Sequence, residues 1–423
     1  MPISRRQFIK RGIGAVSIGL VAPKLWMSQA RAQTGNPSGR KIFVIIQLAG
    51  GNDGLNTVIP YTDSNYSTLR PRIGFQESEI ANTIISDQFA LHPSMTAMKS
   101  LYTAGKAAIV LGVGYPNPNL SHFTSQDIWH TADPTAAAAE GWVGVYADKF
   151  LVNAPSPAAA SVGGILPKTF FSNDVVIPSI DSFSSYTYST DSKYPGDSSN
   201  QMNAFASIYN RAFESGSFID SLQTTGRDAV NGAAQITAAV AGYTSTVSYP
   251  STNIGSGLQM LAQIITTIPS ANVLYCALNG FDNHSSEIGT SDDPNNRLVG
   301  THAMLLGDLS DAINAFYNDM VAHNLADNVV MMTWSEFGRR VNDNGSNGTD
   351  HGTASVQFIV GNPVKGGQFY GTQPSLAPTA LDSSGNMVYQ VDFREVYGTI
   401  LDKWIGVDSA SVLGKSFGDL GFL

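Results

Sequence analysis

Phe43, Val44, Ile45, Ile46 and Leu48 form a short apolar run rich in β-branched residues, and it stops at Gly50-Gly51-Asn52-Asp53-Gly54. An apolar run bounded by glycines reads as a strand buried on both faces of a parallel sheet. The pattern recurs at Ala107 to Val113, Asn272 to Leu278, Asn328 to Trp334 and Val356 to Val360. Helical spacing lies between these runs, at Leu91 to Tyr102, Leu258 to Ile268 and Leu298 to His323, and Asp392 to Gly406 closes the chain. Strands alternating with helices point to an α/β fold, a mostly parallel central sheet flanked by helices on both faces. The helix between the first two strands would make a right-handed βαβ unit.

The 423 residues are 43% hydrophobic and 13% charged, enough for one large core. Ala154 to Thr252 departs from the pattern, being rich in Ser, Thr, Ala, Asn and Tyr. It reads as an insertion or cap at about 154–252 within a single domain spanning 33–423.

Ser4-Arg5-Arg6-Gln7-Phe8-Ile9-Lys10 spells a twin-arginine signal, followed by a short apolar stretch and a small-x-small site at Ala30-Arg31-Ala32. Residues 1–32 therefore read as a signal peptide handled by the twin-arginine translocation machinery. The expected mature protein is periplasmic or secreted, with no stable membrane anchor. Met1 to Ala32 holds six of the 24 Lys and Arg residues and no acid, which leaves 18 bases against 33 acids, or −15. So acidic a chain is a poor partner for nucleic acid. The lone Cys276 lies in an apolar run and reads as an inert buried thiol.

Ligands of parallel sheets bind beyond the carboxyl ends of the strands. Polar clusters stand there: Asp53 after the first strand, Ser121-His122 beyond the second, Asp282 and His284 after the third, Glu336 after the fourth. Asp350-His351 precedes the fifth. Carboxylates with imidazoles suit a divalent metal ion such as Zn or Mn, and carboxylates alone favour Mg or Ca. Two such ions can clamp a phosphoryl group. Plainer readings exist for each position. Asp53 fits a solvated turn, Ser121 a helix cap, Asp282 to His284 a surface turn, Asp350-His351-Gly352 a loop, and Glu336 an ion pair with Arg339 or Arg340. His92, His302 and His323 sit on or beside helices and read as structural.

The series GGNDGLN, SHFTSQDIW, GFDNH, SEFGRR and DHG resembles the DUF1501 family of exported bacterial proteins, over nearly all of the mature chain. That family is similar in turn to the alkaline phosphatase/sulfatase-like superfamily. The resemblance implies that Asp53, Asp282, His284, Glu336, Asp350 and His351 bind metal. It implies that Ser121, with Thr124 as a rival, is the nucleophile. Where the superfamily has an Asp-His pair at a strand end, this chain has Glu336 and Phe337.

The expected function is hydrolysis of phosphate or sulfate esters, small-molecule or polysaccharide. His122 would orient the leaving group. The alternative class is a non-catalytic exported binding or assembly protein acting on surface polysaccharide. A Ser/His/Asp hydrolase fits less well, because no G-x-S-x-G elbow surrounds Ser121.

Overall fold

A computed structural model describes residues 39–183, 190, 193–209, 219, 223, 226, 227, 236, 242–290 and 296–423. The leader expected at 1–32 lies outside the described residues. Among the described residues nine strands form the main sheet: β1 (Ile42–Ala49), β2 (Ala107–Gly114), β3 (Ala159–Val162), β4 (Ser179–Ile180), β5 (Val273–Asn279), β6 (Val329–Trp334), β7 (Ser355–Val360), β8 (Phe369–Tyr370) and β9 (Val391–Asp392). The order is β8-β2-β7-β6-β1-β5-β3-β4, and β9 also pairs with β2. Every pairing is parallel except those of β7, which runs antiparallel to both β2 and β6.

Helices cover both faces: α1 (Gly54–Thr57), α2 (Thr96–Thr103), α3 (His122–Thr131), α4 (Trp142–Phe150), α5 (Asn253–Thr267), α6 (Thr301–Ala322) and α7 (Phe393–Thr399). Side chains alternate across a strand. Ile42, Val44, Ile46 and Leu48 of β1 pack with α2, α5 and α6, while Phe43 and Ile45 pack with α3, α4 and α7. Both faces of β1 are buried, as its unbroken apolar run requires.

Three details differ from the sequence reading. The first two predicted strands lie in one sheet and run the same way, but β6 and β7 stand between them. The first helix begins at Thr96, after Pro93, because Ala90–Leu91 is extended and pairs with Val58–Ile59. Part of the expected insertion belongs to the main sheet, since β3 pairs with β5 and β4 with β3. Of the helical spacing at 204–240, the described helix covers Asp197–Tyr209, and most of the remainder lies outside the described residues.

The antiparallel course of β7 matters for function. Its start meets the ends of β2, β6, β1 and β5 at one edge of the sheet. Residues that precede β7 therefore join those that follow the other four.

A histidine and aspartate cluster at one edge of the sheet

Three adjacent parallel strands, β6, β1 and β5, deliver Glu336, the Gly50-Gly51 turn and Asp282 to this edge. The turn is tight. Gly50 has φ +124°, and a Cβ there would collide with the Asp282 amide nitrogen. Gly51 has φ +82°, and a Cβ there would enter the Phe337 ring. Only glycine combines that conformation with that approach.

Helix α3 carries His122 in. Its underside is fixed by Trp129, which stacks on Trp334 and Phe393. Its first turn is tied to the end of β6, where the Ser125 hydroxyl donates to the Glu336 carbonyl. His351 arrives through a short antiparallel bridge with Arg339.

His122, Asp282 and His351 each offer a ligand atom within 4.8 Å of the others. His284 adjoins two of them, its Nε2 lying 2.9 Å from His351 Nε2 and 3.2 Å from Asp282 Oδ1. His122 Nε2 is 3.4 Å from Asp282 Oδ2, and His351 Nε2 is 3.1 Å from Asp282 Oδ1. The outer nitrogens are all engaged. His351 Nδ1 lies 2.8 Å from the Leu120 carbonyl, which can only accept, so Nδ1 carries the proton. His122 Nδ1 sits 2.9 Å from Glu336 Oε1, and His284 Nδ1 sits 3.2 Å from Asp350 Oδ1. With each Nδ1–H donated outward, three Nε2 lone pairs and a carboxylate face one another. That is the arrangement of metal-ligating histidines held by outer acceptors. The donor set suits zinc or a similar borderline ion.

The charges agree. Burial works to raise the Asp282 carboxyl, but the hydrogen bond and charge of Arg339, with His351 and His122 alongside, bring it down to about 2. The bond to Glu336 raises His122 above the usual histidine value. Burial lowers His351. Burial opposes the ionised form of Glu336, yet the bonds from His122, Gln126 and the Gly50 N–H outweigh it and hold the carboxyl low. The cluster is partly open to solvent, with Asp282 and His284 about half exposed.

The sequence-predicted residues thus separate into three groups. Asp282, His284 and His351 face one another, joined by His122. Glu336 and Asp350 stand behind, each gripping the outer nitrogen of a histidine, and Glu336 makes no ion pair with Arg339. Asp53 is not brought into the cluster. It points into the interior, where both its oxygens meet the Arg70 guanidinium. Ser121 is exposed at the N-terminus of α3, and its hydroxyl makes no cap bond. Thr124 is half-buried on the first turn.

Sequence reasoning missed Arg70 and Glu287. Arg70 is fully buried and also donates to the Val341 and Arg340 carbonyls. Glu287 is buried beside Asp53 and accepts from Asn56 and Thr349. His302, edge-on to His92, closes this interior network. Two carboxyl groups lie side by side near one arginine, whose guanidinium bonds Asp53 alone, and that asymmetry favours ionisation of Asp53 over Glu287. Burial would raise Asp53, but the Arg70 charge and hydrogen bond hold it low. Burial and the Asp53 charge push Glu287 well up. A raised acid contributes stability below its unfolded pKa of about 4.3 and loses it as pH rises. Glu287→Gln is accordingly expected to match the parent at pH 4 and exceed it at pH 7 in urea unfolding. Equal unfolding midpoints at both pH values would contradict a protonated Glu287.

The structure is an α/β protein with a histidine and carboxylate cluster at the edge where its parallel strands end. Residues 40–418 match the family described as "Protein of unknown function (DUF1501)", and the chain belongs to that family. No curated protein matches the chain. Among solved structures it is similar to Ps i-CgsB in complex with k-i-k-neocarrahexaose, at 10% identity and TM-score 0.41, covering 90% of this chain and 76% of that one. It is also similar to a protein in the alkaline phosphatase superfamily from Vibrio parahaemolyticus, at 11% identity and TM-score 0.39, covering 98% and 78%. A third is the PsFucS1 sulfatase from Pseudoalteromonas sp., at 10% identity and TM-score 0.35, covering 98% and 72%. Among the described residues no helix is long and apolar enough to cross a membrane.

Proposed function

We propose that this protein is an exported, metal-dependent hydrolase of phosphate or sulfate esters. One observation carries the reading: three imidazole Nε2 atoms converge on Asp282 while every Nδ1 is tied outward. His122, Asp282 and His351 would hold the ion, with His284 beside them. Glu336 and Asp350 would orient the histidines. A divalent ion there would act as a Lewis acid toward an ester oxygen.

The chain's own contribution lies in Ser121 and α3. The first N–H groups of a helix have no intrahelical acceptor and attract anions. Ser121 stands at that end with its hydroxyl unspent on capping, next to His122. It is the nucleophile favoured here, ahead of Thr124. The twin-arginine leader would export the chain already folded.

The test is elemental analysis of the mature protein purified without chelators, beside an Asp282→Ala, His351→Ala double variant. Near-stoichiometric metal is expected in the parent and none in the variant. A phosphate and sulfate ester panel then follows, in which Ser121→Ala keeps the metal and loses turnover. A folded parent that takes up no metal would overturn the reading and favour a binding protein.

A further inference from the structure

We infer that this sheet edge takes a single divalent ion, because two buried guanidinium groups already occupy the carboxylates that a second ion would need. The inference rests on the metal-dependent reading above and sets its stoichiometry.

Arg339 is 1% exposed. Its Nε donates to the Gly51 carbonyl at 2.7 Å and its Nη1 to Thr349 at 2.9 Å. Its Nη2 meets the Gly50 carbonyl, the Phe281 carbonyl at 2.9 Å and Asp282 Oδ1 at 2.8 Å. Four carbonyl oxygens and a carboxylate oxygen thus surround a permanent organic cation. Hard divalent ions are bound by oxygens of these same kinds. A guanidinium presents only N–H donors, so it fills this oxygen cage without itself offering a lone pair to a metal ion. Arg70 does the same to Asp53, taking both its oxygens.

What is left counts to one site. Oδ2 of Asp282 faces His122 and is free of arginine. His122, Asp282 and His351 offer ligand atoms within 4.8 Å of one another, with His284 Nε2 beside that of His351, which is one set of donors for one ion. Glu336 Oε1 already accepts from Gly50, His122 and Gln126. Phe337 closes the remaining side, its ring centroid 4.9 Å from that of His122 and 4.5 Å from that of His351. Its carbon surface offers no ligand.

The experiment is zinc titration of the mature chain followed by native mass spectrometry, with elemental analysis on the same samples. Saturation at one ion per chain is expected. Asp53→Asn, which keeps Arg70 in place, should saturate at one as well. Two ions of comparable affinity would overturn the inference and leave the hydrolase reading intact. Loss of zinc from Asp53→Asn would also overturn it, by returning Asp53 to the site. No zinc in the folded parent would remove the metal-dependent reading itself, and the inference with it.

Discussion

Replacing Arg70 by methionine should lower the free energy of unfolding by about 3–5 kcal/mol, the cost of leaving one member of a buried ion pair alone. Arg70 has no exposed side-chain surface and Asp53 is 3% exposed. Methionine fills much of the volume but offers no donor. The Asp53 carboxylate would keep the Leu55 N–H at 3.2 Å and the neighbouring Glu287 carboxyl, but no cation. The Val341 and Arg340 carbonyls would lose a donor together. Those carbonyls lie in the loop between β6 and β7, which carries Asp350 and His351, so the damage reaches the cluster.

The pair can be separated from its neighbours. Asp53→Asn in the Arg70→Met background removes the stranded charge and should restore about 2 kcal/mol, within the range of coupling energies for residues in contact. Urea unfolding followed by tryptophan fluorescence measures both. An Arg70→Met variant within about 1 kcal/mol of the parent would show that water or a rearranged side chain reaches Asp53, and the buried pair would have to be abandoned.

The parts of this fold legible in the sequence are those with a periodic or compositional signal. The strands at 42–49, 107–114, 273–279, 329–334 and 355–360 are all foretold by β-branched apolar runs. β3 was hidden because Ala159 to Val162 is short and half alanine, inside a stretch whose composition suggests a cap. The direction of β7 was hidden too. A strand of given composition pairs either way, and here the link from β6 is a bridged loop without a helix. The site divides along the same line. Strand ends locate Asp282, His284, Glu336 and His351 at one edge, since position along a strand is local information. Their roles are set by partners 57 to 214 residues distant, as for Arg339 with Asp282 and Glu336 with His122. Asp53 shows the limit. Its place after β1 is as read, but as the N-cap of α1 its side chain turns inward to Arg70.

Glu336→Ala should weaken zinc binding about 100-fold, at the upper end of what loss of an outer partner costs a metal site. The Glu336 side chain is fully buried, and its Oε1 accepts from Gly50 N–H at 2.9 Å, His122 Nδ1 at 2.9 Å and Gln126 Nε2 at 3.0 Å. Alanine releases the His122 ring, so either nitrogen can carry its proton and Nε2 is no longer reserved for the ion. It also strips the Gly50 N–H of its acceptor, at about 1–3 kcal/mol, in the turn that presses against the Asp282 backbone. Both ends of the ligand set loosen together. Glu336→Gln separates charge from shape. An amide oxygen in the Oε1 position still accepts all three bonds, while its NH₂ turns toward the Ser335 hydroxyl, 3.4 Å from Oε2 in the parent. The glutamine variant should therefore lose about tenfold, the lower end of the same range. Competition against a chromophoric zinc chelator gives both constants. Parental affinity in a folded Glu336→Ala variant would mean that His122 is not held by this carboxylate and that its tautomer is set elsewhere.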